Sequence, residues 1–148
     1  MDARALHLAL NHLAPVGALF AVVLAAYVWR ARRPDLRPLL YFFSLLICLA
    51  AIVGKVTGEE AAHAQPLDQT TVYAEAVDVH DTWGHYAFFA AVPLAVLFFL
   101  LWRREARLAA PLPHWMDPLV LLVWLALLAL LGYVAHLGGL IHHPYIGW

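Results

Sequence analysis

An all-α integral membrane protein, a single antiparallel four-helix bundle over residues 1–148, is what three features of the chain dictate. Of the 148 residues, 64% are hydrophobic and 13% charged, whereas a soluble domain runs near half apolar. The apolar residues gather into four runs of about the 20 residues that a spanning helix needs. None of the runs alternates apolar with polar residues, and backbone groups in lipid must be satisfied within their own segment, which selects helix over strand.

The runs extend over residues 8–29, 38–56, 83–102 and 118–140. The first begins almost at once, lacks a preceding basic stretch and is long enough to span the bilayer, so it reads as a retained helix and not as a cleaved signal. Pro15 and Pro93 fall inside helical runs, where each removes one backbone donor. The connection after the first run holds Arg30, Arg32, Arg33 and Arg37, and the connection after the third holds Arg103, Arg104 and Arg107. Seven of the nine basic residues thus lie on one side, which the positive-inside rule makes cytoplasmic. Both termini and the long middle loop, about residues 57–82, then lie on the outer side. In a Gram-negative bacterium this is the periplasmic face of the inner membrane. Trp29, Trp102 and Trp115 mark the inner boundary, and Trp83 and Trp148 the outer one. Short inner connections make helices one and two neighbours, and likewise three and four.

Composition also excludes functions. A net charge of -1 gives no basis for nucleic-acid binding. Cys48 is the one cysteine and sits in an apolar run, where it reads as a small packing residue. No nucleophile triad, phosphate loop or paired catalytic carboxylates are visible, which argues against a hydrolase or kinase.

Nine histidines are the anomaly, because imidazole is costly in apolar segments unless it does something. His7, His12, His63, His80, His85, His136, His142 and His143 all map to the outer side; only His114 maps to the inner one. Imidazoles converging from several helices are the ligand pattern of a haem or metal site in a bundle. His12 has the better claim over His7, since it lies deeper. His80, His136 and His143 join it as cofactor or metal ligands. Glu59, Glu60, Asp81 and His85 lie at the depth of supporting hydrogen-bond partners, and Gly17, Gly58, Gly84, Gly138 and Gly139, near that depth, would allow close approach there. His7, His63 and His142 read more simply as interfacial residues, His114 as part of an inner loop. Gly138, Gly139 and Pro144 are expected to end the fourth helix and fold the tail back over the site.

Several short motifs occur in order: Asn11-His12 with Pro15 and Gly17, Thr57-Gly58-Glu59 with Ala61, His80-Asp81, and His136-Leu137-Gly138-Gly139 with Ile141, His143 and Pro144. As a set they resemble a largely uncharacterised bacterial family of small four-helix membrane proteins, some relatives of which are joined to Rieske or cytochrome c modules. The resemblance spans nearly the whole chain and implies electron transfer, with His12, Glu59, His80, His136 and His143 as functional positions. Ala14 lengthens the family's Asn-His-x-Pro spacing by one. Tyr145 stands where an acidic residue is expected.

The expectation is therefore a membrane subunit that holds haem b near the outer face. It would pass electrons between a donor such as quinol and a periplasmic cytochrome or Rieske-type partner, as part of a larger membrane complex more than as a stand-alone enzyme. Its first rival is a non-haem site for copper, zinc or iron, metals that imidazole serves in the absence of thiolates. The second is a non-catalytic subunit of a respiratory or electron-transfer complex, whose histidines only contact a partner.

Overall fold

The computed structural model describes residues 3–63, 71–107 and 112–142. They form four long helices: α1 (Ala3–Arg30), α2 (Arg37–His63), α3 (Thr71–Arg107) and α4 (Met116–His142). Each contains a stretch long and apolar enough to cross a membrane. The chain is thus a multi-pass membrane protein by length and composition of its helices.

All four helices outrun their apolar segments. The loop expected over residues 57–82 is mostly helix, because α2 continues to His63 and α3 begins at Thr71. Hydropathy marks where lipid ends, not where hydrogen bonding ends, and the Glu- and Ala-rich flanks are good helix formers in water. With 37 residues, α3 is about 55 Å long at 1.5 Å per residue, well beyond a hydrocarbon core of about 30 Å. The fourth helix does not stop at Gly138-Gly139 as expected; it runs through both to His142. The folded-back tail, residues 143–148 with His143, lies outside the described residues.

The turn after α1 is a Schellman motif. Arg33 N–H donates to the Val28 carbonyl at 3.0 Å and Arg32 N–H to the Trp29 carbonyl at 3.4 Å. Arg32 takes the left-handed conformation (φ 51°) that glycine usually supplies, at a cost of about 1–2 kcal/mol. Pro34 then blocks continuation and opens a single 3-10 turn, Pro34–Leu36, that leads into α2.

In the bundle α1 packs against α2 and α4, and α3 against the same two helices. Buried alanines gather on two helices. α1 contributes Ala14, Ala18, Ala21 and Ala25, and α3 contributes Ala87, Ala91 and Ala95, all buried. α4 supplies Trp124, Leu127 and Leu131, and α2 supplies Tyr41, Ile47 and Cys48. Small residues let backbones approach closely, which matters where apolar burial does not distinguish core from lipid. The outer surface is apolar as well: Phe20 is 71% exposed and Phe89 67%. In water such a surface would drive association; in a bilayer it is the solvated face.

Polar groups in the described interior are few, and the Tyr41 hydroxyl is buried there without a hydrogen-bond partner. Trp124 Nε1–H donates to Ser44 Oγ at 2.9 Å, and the Ser44 hydroxyl donates to the Leu40 carbonyl at 2.7 Å. The Trp124, Phe98 and Tyr41 rings stack in series, with centroids 5.7 Å and 6.3 Å apart.

Candidate functional site

Two polar clusters and one histidine pair occupy opposite ends of the bundle. At the arginine-rich end Arg37 is buried, 2% exposed. Its guanidinium grips Asp117 with both arms, Nε to Oδ1 at 2.7 Å and Nη2 to Oδ2 at 2.8 Å. Nη1 donates to the Leu112 carbonyl and lies 3.6 Å from Glu105. Glu105 accepts the Leu112 N–H at 3.0 Å, and His114 closes on Asp117 from outside. The cluster ties the start of α2 to the end of α3 and the start of α4. Arg37 therefore does not act as the solvated loop charge that a count of basic residues makes it. Asp117 and Glu105, unremarked in the sequence, are its counter-ions.

At the histidine-rich end, α1 and α3 bring His7 and His80 together, with ring centroids 6.3 Å apart and planes at 81°. His7 Nδ1 lies 2.8 Å from the Gly54 carbonyl of α2, and His80 Nδ1 3.1 Å from the Val134 carbonyl of α4. A carbonyl can only accept, so each Nδ1 carries the proton, and in the neutral ring Nε2 is the nitrogen with a free lone pair. This is how a ligating imidazole is oriented in metal sites. The rings are seated by glycine. A Cβ on Gly58 would come within 2.8 Å of His7 Cε1, and one on Gly138 within 2.7 Å of Asn11 Nδ2 and 3.1 Å of His80 Cε1. Here the lack of a side chain is a steric requirement.

The pair borders a cavity of about 100 Å³, whose walls include Asn11, Gly54, Ala51 and Ala87. At its rim Lys55 bridges Asp81 at 2.6 Å and Glu59 at 2.9 Å, joining α2 to α3. His85 completes the rim, with Nδ1 3.2 Å from Asp81 and Nε2 3.9 Å from Glu59.

Of the residues singled out from sequence, His80 is in the site. His12 is exposed on the bundle surface, its Nδ1–H bonded to Leu8 of its own helix at 2.7 Å. His136 is exposed as well. His7, ranked below His12, is the residue that meets His80. Asp81 and Glu59 engage Lys55 and His85 instead of the paired imidazoles, and Glu60 is exposed. The side chains of His63 and His142 lie outside the described residues, as does His143. Among the described residues no group of three or more His, Cys, Asp or Glu is placed to hold a metal ion. The cavity has a volume of about 100 Å³. What the arrangement offers is two oriented imidazoles from opposite sides of the bundle, facing a space the size of a few waters.

Comparison with family models, curated proteins and solved structures finds no match for this chain.

Proposed function

We propose that this is a metal-binding subunit of the bacterial inner membrane. Its helices run antiparallel, and both termini and the His7–His80 end face the periplasm. His7 and His80 would hold one copper, iron or zinc ion through Nε2. The observation that carries the reading is the cross-helix pinning of both rings. Each Nδ1–H is committed to a carbonyl of a neighbouring helix, which orients the ring and leaves the other nitrogen for a ligand. Imidazole suits all three metals. Copper or iron would make the chain an electron carrier to a periplasmic cytochrome or Rieske-type partner. Zinc would make it structural, and would call for further ligands to reach four.

Haem b keeps one point in its favour. Two imidazoles bonded at about 2.0 Å on opposite sides of one ion have centroids about 6 Å apart, close to the 6.3 Å seen here.

The test is elemental analysis and an absorption spectrum, oxidised and reduced, of protein purified in detergent. Stoichiometric metal without a Soret band is expected. His7→Ala or His80→Ala should lose the metal, and His12→Ala, His136→Ala and His114→Ala should keep it. A Soret band with a sharp reduced alpha band would restore haem b. Protein free of metal, with the His7 and His80 variants assembling normally, would leave a non-catalytic subunit.

A further inference from the structure

The arginines outside the buried Arg37 cluster lie at the ends of α1 and α3, and the two sets differ in what adjoins them. Between α1 and α2 a groove of about 690 Å³ runs along the surface, and no charged residue lines it. Its α1 wall is Leu13, Val16, Phe20, Val23 and Tyr27, each at least half exposed. Phe43 and Leu46 of α2 stand on the facing wall. The α1 residues recur at steps of three and four, so they share one face of the helix. The next step from Tyr27 is Arg30, the last residue of α1. From Leu13 to Tyr27 the wall is about 21 Å long at 1.5 Å per residue, against about 15 Å for half of a hydrocarbon core.

The Tyr27 end of this groove is basic. Arg30 and Arg32 are exposed, and among the described residues neither makes an ion pair, whereas Arg33 is held by Asp35. The α1 carbonyls that would repel an anion are already engaged: those of Tyr27, Val28 and Trp29 accept the N–H groups of Ala31, Arg33 and Arg32. Arg32 also keeps its long charged side chain at a left-handed position (φ 51°), and such an outlier points to a use for the side chain. An apolar slot at least one acyl chain long, ending at two uncommitted guanidiniums, is complementary to a hydrocarbon tail that ends in a phosphate. A zwitterionic head would set its ammonium among like charges. A second copy across a two-fold axis would likewise bring Arg30 and Arg32 against their own equivalents.

We propose that the α1–α2 groove binds one anionic glycerophospholipid without a head-group amine, the class of phosphatidylglycerol, drawn from the leaflet at the arginine-rich end. One acyl chain lies along the wall from Tyr27 to Leu13, and the phosphodiester rests on Arg30 and Arg32. The site is separate from the His7–His80 pair and stands without it. At the end of α3, Arg103 and Arg107 border a hollow whose lining comes from that helix alone. They attract anionic lipid to the surface without seating a single molecule.

For the test, the full chain is delipidated in detergent and titrated with phosphatidylglycerol, phosphatidylethanolamine or phosphatidylcholine, and native mass spectrometry counts the molecules bound. One phosphatidylglycerol should bind at about a tenth of the concentration that either zwitterionic lipid needs, the lower end of what a hydrogen bond to a charged group is worth. Arg30→Gln should weaken it about tenfold, and Val23→Trp, which fills the groove from a lipid-facing position, should weaken it further. Arg32→Gly should weaken it about three- to tenfold while the bundle resists sodium dodecyl sulfate at least as well as the parent. Loss of a merely structural residue does not give that combination. Arg104→Gln, the same loss of charge on α3, should bind as the parent does. Equal binding of the three lipids overturns the proposal, as does a loss in Arg104→Gln equal to that in Arg30→Gln. Phosphatidylglycerol binding that survives Val23→Trp would be a head-group contact with no groove, and overturns it too. A dimer that Val23→Trp dissociates would give the groove to a second copy instead.

Discussion

Removing Arg37 tests how the bundle is held together. The side chains of Arg37, Asp117 and Glu105 are 2%, 4% and 5% exposed, so solvent screens none of them. Arg37→Met takes away both bonds to Asp117 and the one to the Leu112 carbonyl, and strands two carboxylates in the interior. Breaking one side of a buried pair costs about 3–5 kcal/mol. The lower end applies here, because Asp117 keeps His114 and Glu105 keeps the Leu112 N–H. Asp117→Leu should cost a similar amount, with Arg37 left leaning on Glu105. The double variant removes both charges and refills the space with apolar volume, so its loss should be about 1 kcal/mol and far from the sum of the singles. Arg37→Lys keeps the charge but not the two-armed geometry and should fall between. Unfolding in mixed micelles by titration with sodium dodecyl sulfate, followed by circular dichroism, measures each variant. Strictly additive single losses, or a loss below about 1 kcal/mol for Arg37→Met, would refute the pairing as the source of stability.

Two further outcomes follow from the same geometry. Gly138→Ala and Gly58→Ala should each cost about 1–3 kcal/mol through overpacking and displace His80 and His7 respectively. Gly139→Ala, which meets nothing within 4 Å, should be neutral or stabilise by up to about 1 kcal/mol through helix propensity; metal content and micellar unfolding separate the three. For topology, Glu60→Cys in a Cys48→Ser background should react with a membrane-impermeant maleimide in intact spheroplasts. Arg33→Cys should react only after lysis, and the reverse pattern would invert the orientation.

The four helices were legible because lipid forces apolar length, and their ends were not, because water-exposed helix carries no hydropathy signal. The site was half legible, and the missing half was a matter of helical phase. Along α1 the buried residues Ala14, Ala18, Ala21, Ala25 and Val28 recur at steps of four and three. Carried back, the same steps reach Asn11 and His7 and pass over His12. On α3 the stripe Ala91 and Ala87 leads through Gly84 to His80 and leaves His85 at the rim. On α4 the steps through Trp124, Leu127, Leu131 and Val134 arrive at Gly138 and miss His136. Depth alone favoured His12 over His7, whereas the small-residue seam decides which of them faces inward. Arg37 was misread for a related reason. An arginine next to an apolar run satisfies the charge rule whether it lies in water or under the bundle. Its partner Asp117 sits on a different helix, 80 residues away, where no local pattern connects the two.

The two ends of the bundle then differ in a way that bears on function. Each has one strong cation, two carboxylates and a histidine: Arg37, Glu105, Asp117 and His114 at one end, Lys55, Glu59, Asp81 and His85 at the other. In both, the cation and the carboxylates pair with one another, in a buried setting around Arg37 and a half-exposed one around Lys55, and a cluster so paired has little to spare for a ligand. His7 and His80 are built differently. Among the described residues each commits one nitrogen to a backbone carbonyl, and no described hydrogen bond uses the other. An imidazole seated against a glycine, with its second ring nitrogen in no described hydrogen bond, is the feature on which the proposed ion site rests.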